Sequence, residues 1–337
     1  MSPDAILRVV RVPAEFEGTR LDRFLSLQLR ATSRTRAQAI IEASAYSPDG
    51  RKLRASDRLR TEQRIYLWRP GFEETPPASE PVILYEDDHL IVVDKPPLMT
   101  VHPTARHHHQ TVLKYLEHIR PGEYLSLIHR LDRDTSGVLL VARSPAADRA
   151  FKMQLEERSI AAARAAEAGG PVGKADKIYW AITWGVPPEG LIDRALEDDP
   201  SPLRVKMRVA PSGLGLAART GVRVLATHGG YAFVECELFT GRQHQIRVHL
   251  ASVGTPVVGD KLYGPDERLL ARSADGELSE EDERLLELPR HALHAHRYRV
   301  NHCFTGELIE FAAPLPVDLA EFWASRGGSA LEMHTPG

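Results

Sequence analysis

The chain has 337 residues, 42% of them hydrophobic and 26% charged, with a formal net charge of -3. This length allows one large core and a smaller second module, and no apolar run approaches the roughly 18 residues that a membrane-spanning helix needs. Two cysteines, Cys236 and Cys303, are too few for a disulfide framework or a four-ligand zinc site.

The Met-Ser-Pro-Asp start opens no secretion signal, so a cytoplasmic protein is expected. Charge is spread unevenly along it. Residues 1–70 carry 14 Lys+Arg against 8 Asp+Glu, a net of +6, whereas the remainder carries 29 against 38, a net of -9. Thirteen of those 14 basic residues are arginine, whose planar fork donates paired hydrogen bonds to phosphate. A nucleic-acid-binding domain over residues 1–70 is therefore expected. Within it, Thr19–Leu29 and Ser33–Ala43 read as two short helices, the second with Ser33 as N-cap and Ala37, Ile40 and Ile41 on one face. Arg34 and Arg36 fall in the first turn of that second helix, where the helix dipole disfavours cations, so their placement points to an anionic ligand. Ser47-Pro-Asp-Gly50 is a turn signal and Arg64–Trp68 a strand. The proline-rich stretch 71–81 reads as an extended linker.

The expected second domain covers residues 82–325, with 326–337 as a tail. Val82–Tyr85 and Leu90–Val93 flank a polar turn, and the apolar run Gly137–Ala142 is a buried central strand. Ser144 and Pro145 open a helix that reaches about Glu157, and the alanine- and glycine-rich stretch Ala161–Asp176 reads as a surface excursion. Lys177–Val186 and Val222–Leu238, the latter broken at Gly229-Gly230, have strand character. Gln243–Val253 is a helix stopped by Gly254 and Pro256.

His129-Arg-Leu-Asp-Arg-Asp134 puts five ionisable side chains into six positions directly before the buried strand. Burial strips water from charges, so a plain turn leading into a core strand has little use for two arginines and two aspartates interleaved. A polar loop on a rigid sheet is where catalytic groups concentrate. Asp132-Arg-Asp134 also fits the two-aspartate motif with which many glycosyltransferases hold a metal and a sugar nucleotide. His107-His-His109 is a second weak metal signal.

The stretch HRLDRDTSG resembles the central motif of the RluA family of pseudouridine synthases, in which the aspartate after Arg-Leu is catalytic. Other segments resemble the family in the same order. They are Leu90–Pro97 with Val101-His-Pro103, Lys177-Ile-Tyr-Trp-Ala181, Gly241-Arg-Gln-His-Gln-Ile-Arg-Val-His-Leu250, Val258–Gly264, Leu293-His-Ala295 and Ala313-Pro-Leu-Pro316. Residues 1–70 resemble a small ribosomal-protein-type RNA-binding fold through Arg20-Leu-Asp-Arg-Phe-Leu25 and Ser33–Ile41. Their second half departs from that pattern, with Ala45-Tyr-Ser-Pro-Asp-Gly50 and Thr61-Glu62 in place of its glycine-containing turns.

The resemblance implies an α+β fold: a mixed, largely antiparallel central sheet with flanking helices and a catalytic cleft, plus a small N-terminal α/β RNA-binding domain. It implies isomerisation of uridine in structured RNA, ribosomal RNA of the large subunit being favoured and transfer RNA the alternative. Asp132 is then the catalytic carboxylate, as a nucleophile or as a base on the ribose. Arg247 is its cationic partner, Tyr179 the ring against the uracil, and Arg130 the side chain that fills the gap left by a flipped base. Arg133 and Asp134 are expected to pair with each other or a neighbour. Arg23, Arg34 and Arg36 are the expected RNA contacts of the small domain. The reaction breaks and remakes one bond without net redox change, so no cofactor or metal is implied, and neither is an obligate protein partner or a membrane. A monomer is expected. The alternative of a different class, an RNA-binding or ribosome-assembly factor without catalysis, is disfavoured by the intact set Arg130, Asp132, Tyr179 and Arg247.

Overall fold

The computed structural model describes residues 6–29, 34–69, 79–103, 110–167, 175–200, 206–212, 214–266, 268–275 and 277–329. Ser33, most of the 71–81 stretch and His107–His109 lie outside them. The chain divides into two units, Met1–Glu73 with Asp198–Lys206, and Glu74–Glu197 with Met207–Gly337.

In the first unit, β1 (Ile6–Arg11), α1 (Leu21–Gln28), α2 (Arg34–Ser44), β2 (Ala45–Tyr46) and β3 (Arg64–Arg69) form an antiparallel sheet of order β1-β3-β2 with two helices. Leu21, Phe24 and Leu25 fall at i, i+3 and i+4, so one stripe of α1 meets Ala37 and Ile41 of α2 and Ile65 and Leu67 of β3. The sequence does not announce β1, because its Leu7 and Val9 stay exposed and no alternation marks a buried face. The departing second half still folds. Ser47 and Arg51 close the turn after β2, and Glu62 adopts a left-handed conformation (φ 66°) with its carboxylate paired to Arg11.

The placement of Arg34 also has an internal explanation. Asp22 of α1 is fully buried and accepts from Arg34 Nε (3.1 Å), Gln38 Nε2 (2.9 Å) and the Arg20 guanidinium. The hydrogen bond from Arg20, helped by those from Gln38 and Arg34, outweighs burial and holds the Asp22 carboxyl well below the usual carboxylate range. Arg34 thus staples α2 to α1 through Nε while 60% of its side chain stays exposed, and Arg23 and Arg36 are exposed too.

The second unit contains β4 (Val82–Glu86), β5 (Leu90–Lys95), α3 (Val112–Ile119), β6 (Ser126–Leu127), β7 (Ser136–Ala142), α4 (Pro145–Glu167), β8 (Lys177–Trp184) and β9 (Gly190–Asp193). Next come β10 (Leu196–Asp198) and β11 (Met207–Val209), which form a separate pair. Then follow β12 (Arg219–His228), β13 (Tyr231–Leu238), α5 (Gln245–Ser252), α6 (Leu269–Asp275), α7 (Glu280–Leu286), β14 (Leu293–Asn301), β15 (Leu308–Ala312) and α8 (Val317–Ser325). The main sheet has the order β4-β5-β7-β14-β8-β13-β12-β9, with β15 beside β14 and β6 beside β7. Its pairings are antiparallel except β7 with β14. No helix among the described residues is long and apolar enough to cross a membrane.

Both faces of the sheet centre are covered. Ile91, Val93, Leu139 and Val141 face α3, α5 and α8, whereas Leu90, Val92, Val138 and Leu140 face Phe151 of α4 and Phe311 of β15. That is why Gly137–Ala142 reads as a continuous apolar run rather than an alternating one. At ~1.5–3 kcal/mol per buried aliphatic side chain, β7 is a rigid base for whatever precedes it. Gly137 is required at its start. Its φ of +108° suits glycine, and a Cβ there would lie 2.2 Å from the Ala295 carbonyl oxygen of β14.

Ser144 caps α4 as expected, its hydroxyl accepting from Ala147 N at 3.1 Å. The helix, however, runs to Glu167 rather than to about Glu157, so the front of the Ala161–Asp176 stretch is helical. Alanine is the strongest helix former, and here it extends an existing nucleus instead of marking a loop.

Candidate active site

The loop Arg130–Thr135 sits at the N-terminal end of β7, and two buried cations fix its backbone. Lys95, at the end of β5, donates to the carbonyls of Pro96 (2.7 Å), Met99 (2.9 Å) and Arg133 (3.0 Å). Burial pushes its pKa down to about 7, but three carbonyl acceptors match the three N–H of the ammonium form and hold it charged. Arg290, also fully buried, binds Asp318 of α8 through Nε (2.6 Å) and Nη2 (2.9 Å), and its Nη1 donates to the Asp134 carbonyl at 3.0 Å. Beyond the loop, the Thr135 hydroxyl meets His291 Nε2 at 2.8 Å and the Ser136 hydroxyl meets His294 Nδ1 at 3.0 Å. Burial drives His291 down to about 4 and His294 to about 3, so both rings are neutral hydrogen-bonding struts.

The opposing wall is the start of α5. Gln245 anchors it by accepting from the Thr240 hydroxyl (2.7 Å) and donating to the Arg219 carbonyl (2.9 Å). One turn on, buried Arg247 grips fully buried Asp260 with Nε (2.7 Å) and Nη2 (2.8 Å) and extends Nη1 to Asp132 Oδ2 at 2.8 Å. Asp260 also accepts from the backbone N–H of Leu262 (2.9 Å) and Tyr263 (3.0 Å), which fixes the guanidinium plane. His244, in the left-handed region at φ 55°, opens α5 and places Nε2 3.8 Å from Asp132 Oδ1, with Nδ1 3.0 Å from the Tyr263 hydroxyl.

Burial alone would raise the Asp132 carboxyl; the Arg247 guanidinium, through its charge and its hydrogen bond, outweighs it and keeps the group below its ordinary value. A third of the Asp132 side chain, 33%, faces an open cleft, so the charge is both stabilised and accessible. Burial, then the Asp132 charge, pushes the Tyr179 hydroxyl above its ordinary value, so the phenol stays protonated.

Asp132, Arg130, Tyr179, His244 and Arg247 line one cavity of about 780 Å³. This falls within the roughly 300–1,000 Å³ of small-molecule sites and admits a whole nucleotide. Arg130 is exposed at the cleft, and among the described residues neither its guanidinium nor the Tyr179 hydroxyl has a hydrogen-bond or ion-pair partner. Arg133 pairs with Asp134 at 3.2 Å, and Asp134 also meets Lys261 at 3.9 Å. The two aspartates of the Asp-Arg-Asp stretch are therefore answered by different cations.

The four residues expected in the catalytic domain are thus brought together, whereas Arg23, Arg34 and Arg36 belong to the first unit. Sequence reasoning gave no role to Lys95, His244, Asp260, Arg290 or Asp318. Asp260 and His244 lie inside segments that stood out as family-like. Nothing local to Arg290 or Asp318 signals that they meet.

The RNA pseudouridylate synthase family matches residues 89–252 of the chain. An RNA pseudouridine synthase of Chloroflexus aurantiacus is 38% identical over 326 residues, covering 93% of this chain and 91% of the relative. The ribosomal large subunit pseudouridine synthase D of Neisseria meningitidis is 34% identical, covering 91% of this chain and 79% of its own. That of Pseudomonas aeruginosa is 32% identical, covering 94% of each. Among solved structures, human RNA pseudouridylate synthase domain containing 4 superimposes with a TM-score of 0.54 at 25% identity, over 76% of this chain and 95% of the human one. With the Asp132–Arg247–Asp260 arrangement set in a sheet of this topology, the chain belongs to the RluA family of RNA pseudouridine synthases, enzymes that isomerise uridine within RNA.

Proposed function

We propose that this enzyme isomerises uridines in large-subunit ribosomal RNA, with Asp132 as the working carboxylate and Arg130, Tyr179 and Arg247 receiving the flipped nucleotide. The observation that carries the reading is an ionised carboxylate, held by Arg247 at 2.8 Å, facing a nucleotide-sized cavity whose Arg130 and Tyr179 have no protein partner among the described residues. The Neisseria and Pseudomonas relatives are named for the large ribosomal subunit, which supports the substrate class. The first unit contributes Arg23, Arg34 and Arg36 to phosphate contacts, and the enzyme acts as a cytoplasmic monomer.

A stacked uridine hides its sugar carbon, so the nucleotide must leave the helix at a cost of a few kcal/mol, least in loops and distorted segments. Arg130 takes the vacated space. Asp132 then attacks C1′ or removes the proton at C2′, and either step releases uracil with the bonding pair on N1. The base turns so that C5 faces C1′. A carbon–carbon bond forms as the C1′–Asp132 bond breaks or, on the other route, as the proton goes back to C2′; one proton leaves C5 and one arrives at N1, and the sum is an isomerisation. Tyr179, held neutral, walls the base with its ring and offers its O–H as a donor.

Ribosomal RNA from cells in which the gene is disrupted, incubated with the purified protein and mapped chemically for pseudouridine, tests this. New sites with the wild-type protein and none with Asp132→Asn are expected. No new site, or full activity in Asp132→Asn, refutes the proposal.

A further inference from the structure

We infer that Lys177 is a further substrate-contacting residue, its ammonium answering the negative charge that uracil carries while it is detached from the sugar. This rests on the reading of the cleft as a uridine site.

Lys177 and Tyr179 stand at i and i+2 on β8, so they share one face of the strand roughly 6.6 Å apart along it. Both line the cavity that holds Asp132 and Arg130. A lysine at that spacing reaches the edge of a base packed on its neighbour's ring.

Among the described residues the ammonium has an aromatic ring beside it but no hydrogen-bond or ion-pair partner. Its register neighbours are Leu238 on β13 and Tyr298 on β14, and Nζ lies 5.1 Å from the Tyr298 ring centroid. The adjacent carboxylate, Asp176, is taken by Arg158 of α4 at 2.5 Å and approached by Arg299 at 3.8 Å. His129, on the loop side, is driven neutral by burial, with the Lys177 charge adding to the effect. Among the described residues no hydrogen bond or ion pair reaches Lys177. Gly241 adds no side chain beside it, and a Cβ there would make an ordinary contact with Nζ at 3.9 Å.

A half-buried cation with no hydrogen bond or ion pair of its own is unfavourable, and an aliphatic residue would pack there at lower cost. The position therefore makes sense with a ligand. RNA offers two kinds of negative charge, the standing charge of its phosphates and the transient charge of the released base. Exposed cations suit the phosphates. Lys177, on the cleft wall beside Tyr179, suits the base, whose excess charge spreads over N1, O2 and O4 after C1′–N1 cleavage. A cation placed for a charge that exists only in mid-reaction accelerates the chemical step more than it tightens binding. Burial lowers the Lys177 pKa to about 8, with Asp176 opposing and Arg158 adding to the fall, so the ammonium is present at neutral pH and lost above about 8.

The test compares wild type, Lys177→Met and Lys177→Arg as full chains, in single turnover on ribosomal RNA from the disrupted strain. Lys177→Met is expected to lose about 10²-fold in the saturating rate, with little change in the RNA concentration for half-saturation. Lys177→Arg should recover most of the rate and carry it to higher pH than wild type, whose rate declines above about pH 8. Thermal melts and RNA binding confirm that the variants are folded. An unchanged saturating rate in Lys177→Met overturns the inference, and so does a loss confined to half-saturation, which would mark a phosphate contact. If the wild type itself converts no uridine, the proposed function fails and takes this inference with it.

Discussion

Removing Arg247 together with its buried partner, as Arg247→Met with Asp260→Asn, tests how Asp132 is kept ionised. Changing both avoids leaving Asp260 as an uncompensated buried charge, an error that alone costs about 3–5 kcal/mol. At the observed 2.8 Å, opposite unit charges in an effective dielectric of about 20 attract by about 6 kcal/mol. Solvent reaches 33% of the Asp132 side chain, so screening takes back part of that attraction. The sign follows from the two opposing influences. Burial raises the carboxyl and Arg247 lowers it, so without Arg247 the group titrates above its ordinary value. The assay is the single-turnover rate as a function of pH. Wild type should stay flat down to about pH 5, since its Asp132 ionises below the ordinary range. The double variant should lose rate at a higher pH than wild type as the medium is acidified, with part of its activity retained at pH 8. Coincident acid limbs in two folded proteins would refute the assignment of Arg247 as the group that holds the charge.

In the first unit, Asp22→Asn should loosen α1 from α2 by about 1–3 kcal/mol, read as faster amide exchange of both helices in the full chain. Because Asp22 is depressed, its contribution is present above the ordinary carboxyl pKa and lost as pH falls below about 4. Gly137→Ala should destabilise the catalytic unit by about 3 kcal/mol or more in a denaturant titration, since both its φ and the Ala295 carbonyl exclude a Cβ. Replacing Arg23, Arg34 and Arg36 by Gln should flatten the slope of log binding constant against log salt by about 2, and an unchanged slope removes them from the phosphate contacts. His244→Gly and His244→Ala should slow the reaction alike, yet the glycine variant should melt higher, by about 1 kcal/mol of stability, because only glycine relieves the left-handed backbone.

Much of this was legible wherever one segment carries its own signal. The run Gly137–Ala142 and the capped start of α4 announce themselves, and the crowding of charge in His129–Asp134 marks a functional loop. Less legible were features decided by partners far apart in the chain. Arg290 and Asp318 carry no local signal, and only the fold joins them beneath the Asp134 carbonyl. Arg34 reads only as a phosphate ligand because nothing local reveals that Asp22 lies buried beside it. The front of the Ala161–Asp176 stretch reads as loop for a different reason: its residues are small, yet a helix already nucleated at Ser144 extends most easily through alanine, here to Glu167.

The charged groups of the cleft fall into two sets, and the division explains how a domain of net negative charge can carry out this chemistry. Lys95, Arg290, Arg247, Asp260 and Asp318 are bound to the protein itself, and together they fix the backbone and charge of the Asp132 loop before any substrate arrives. Such groups need no reorganisation during the reaction, which is what makes a preset electrostatic environment effective. Arg130, Tyr179 and Lys177 are the complement. They line the same cavity without a hydrogen-bond or ion-pair partner among the described residues, so their interactions are still to be made when RNA binds. The first set determines which carboxylate reacts and the second determines what it reacts with. Substitutions in the first should therefore move pH profiles and stability together, while those in the second should change rate or binding and leave the melting temperature nearly where it was.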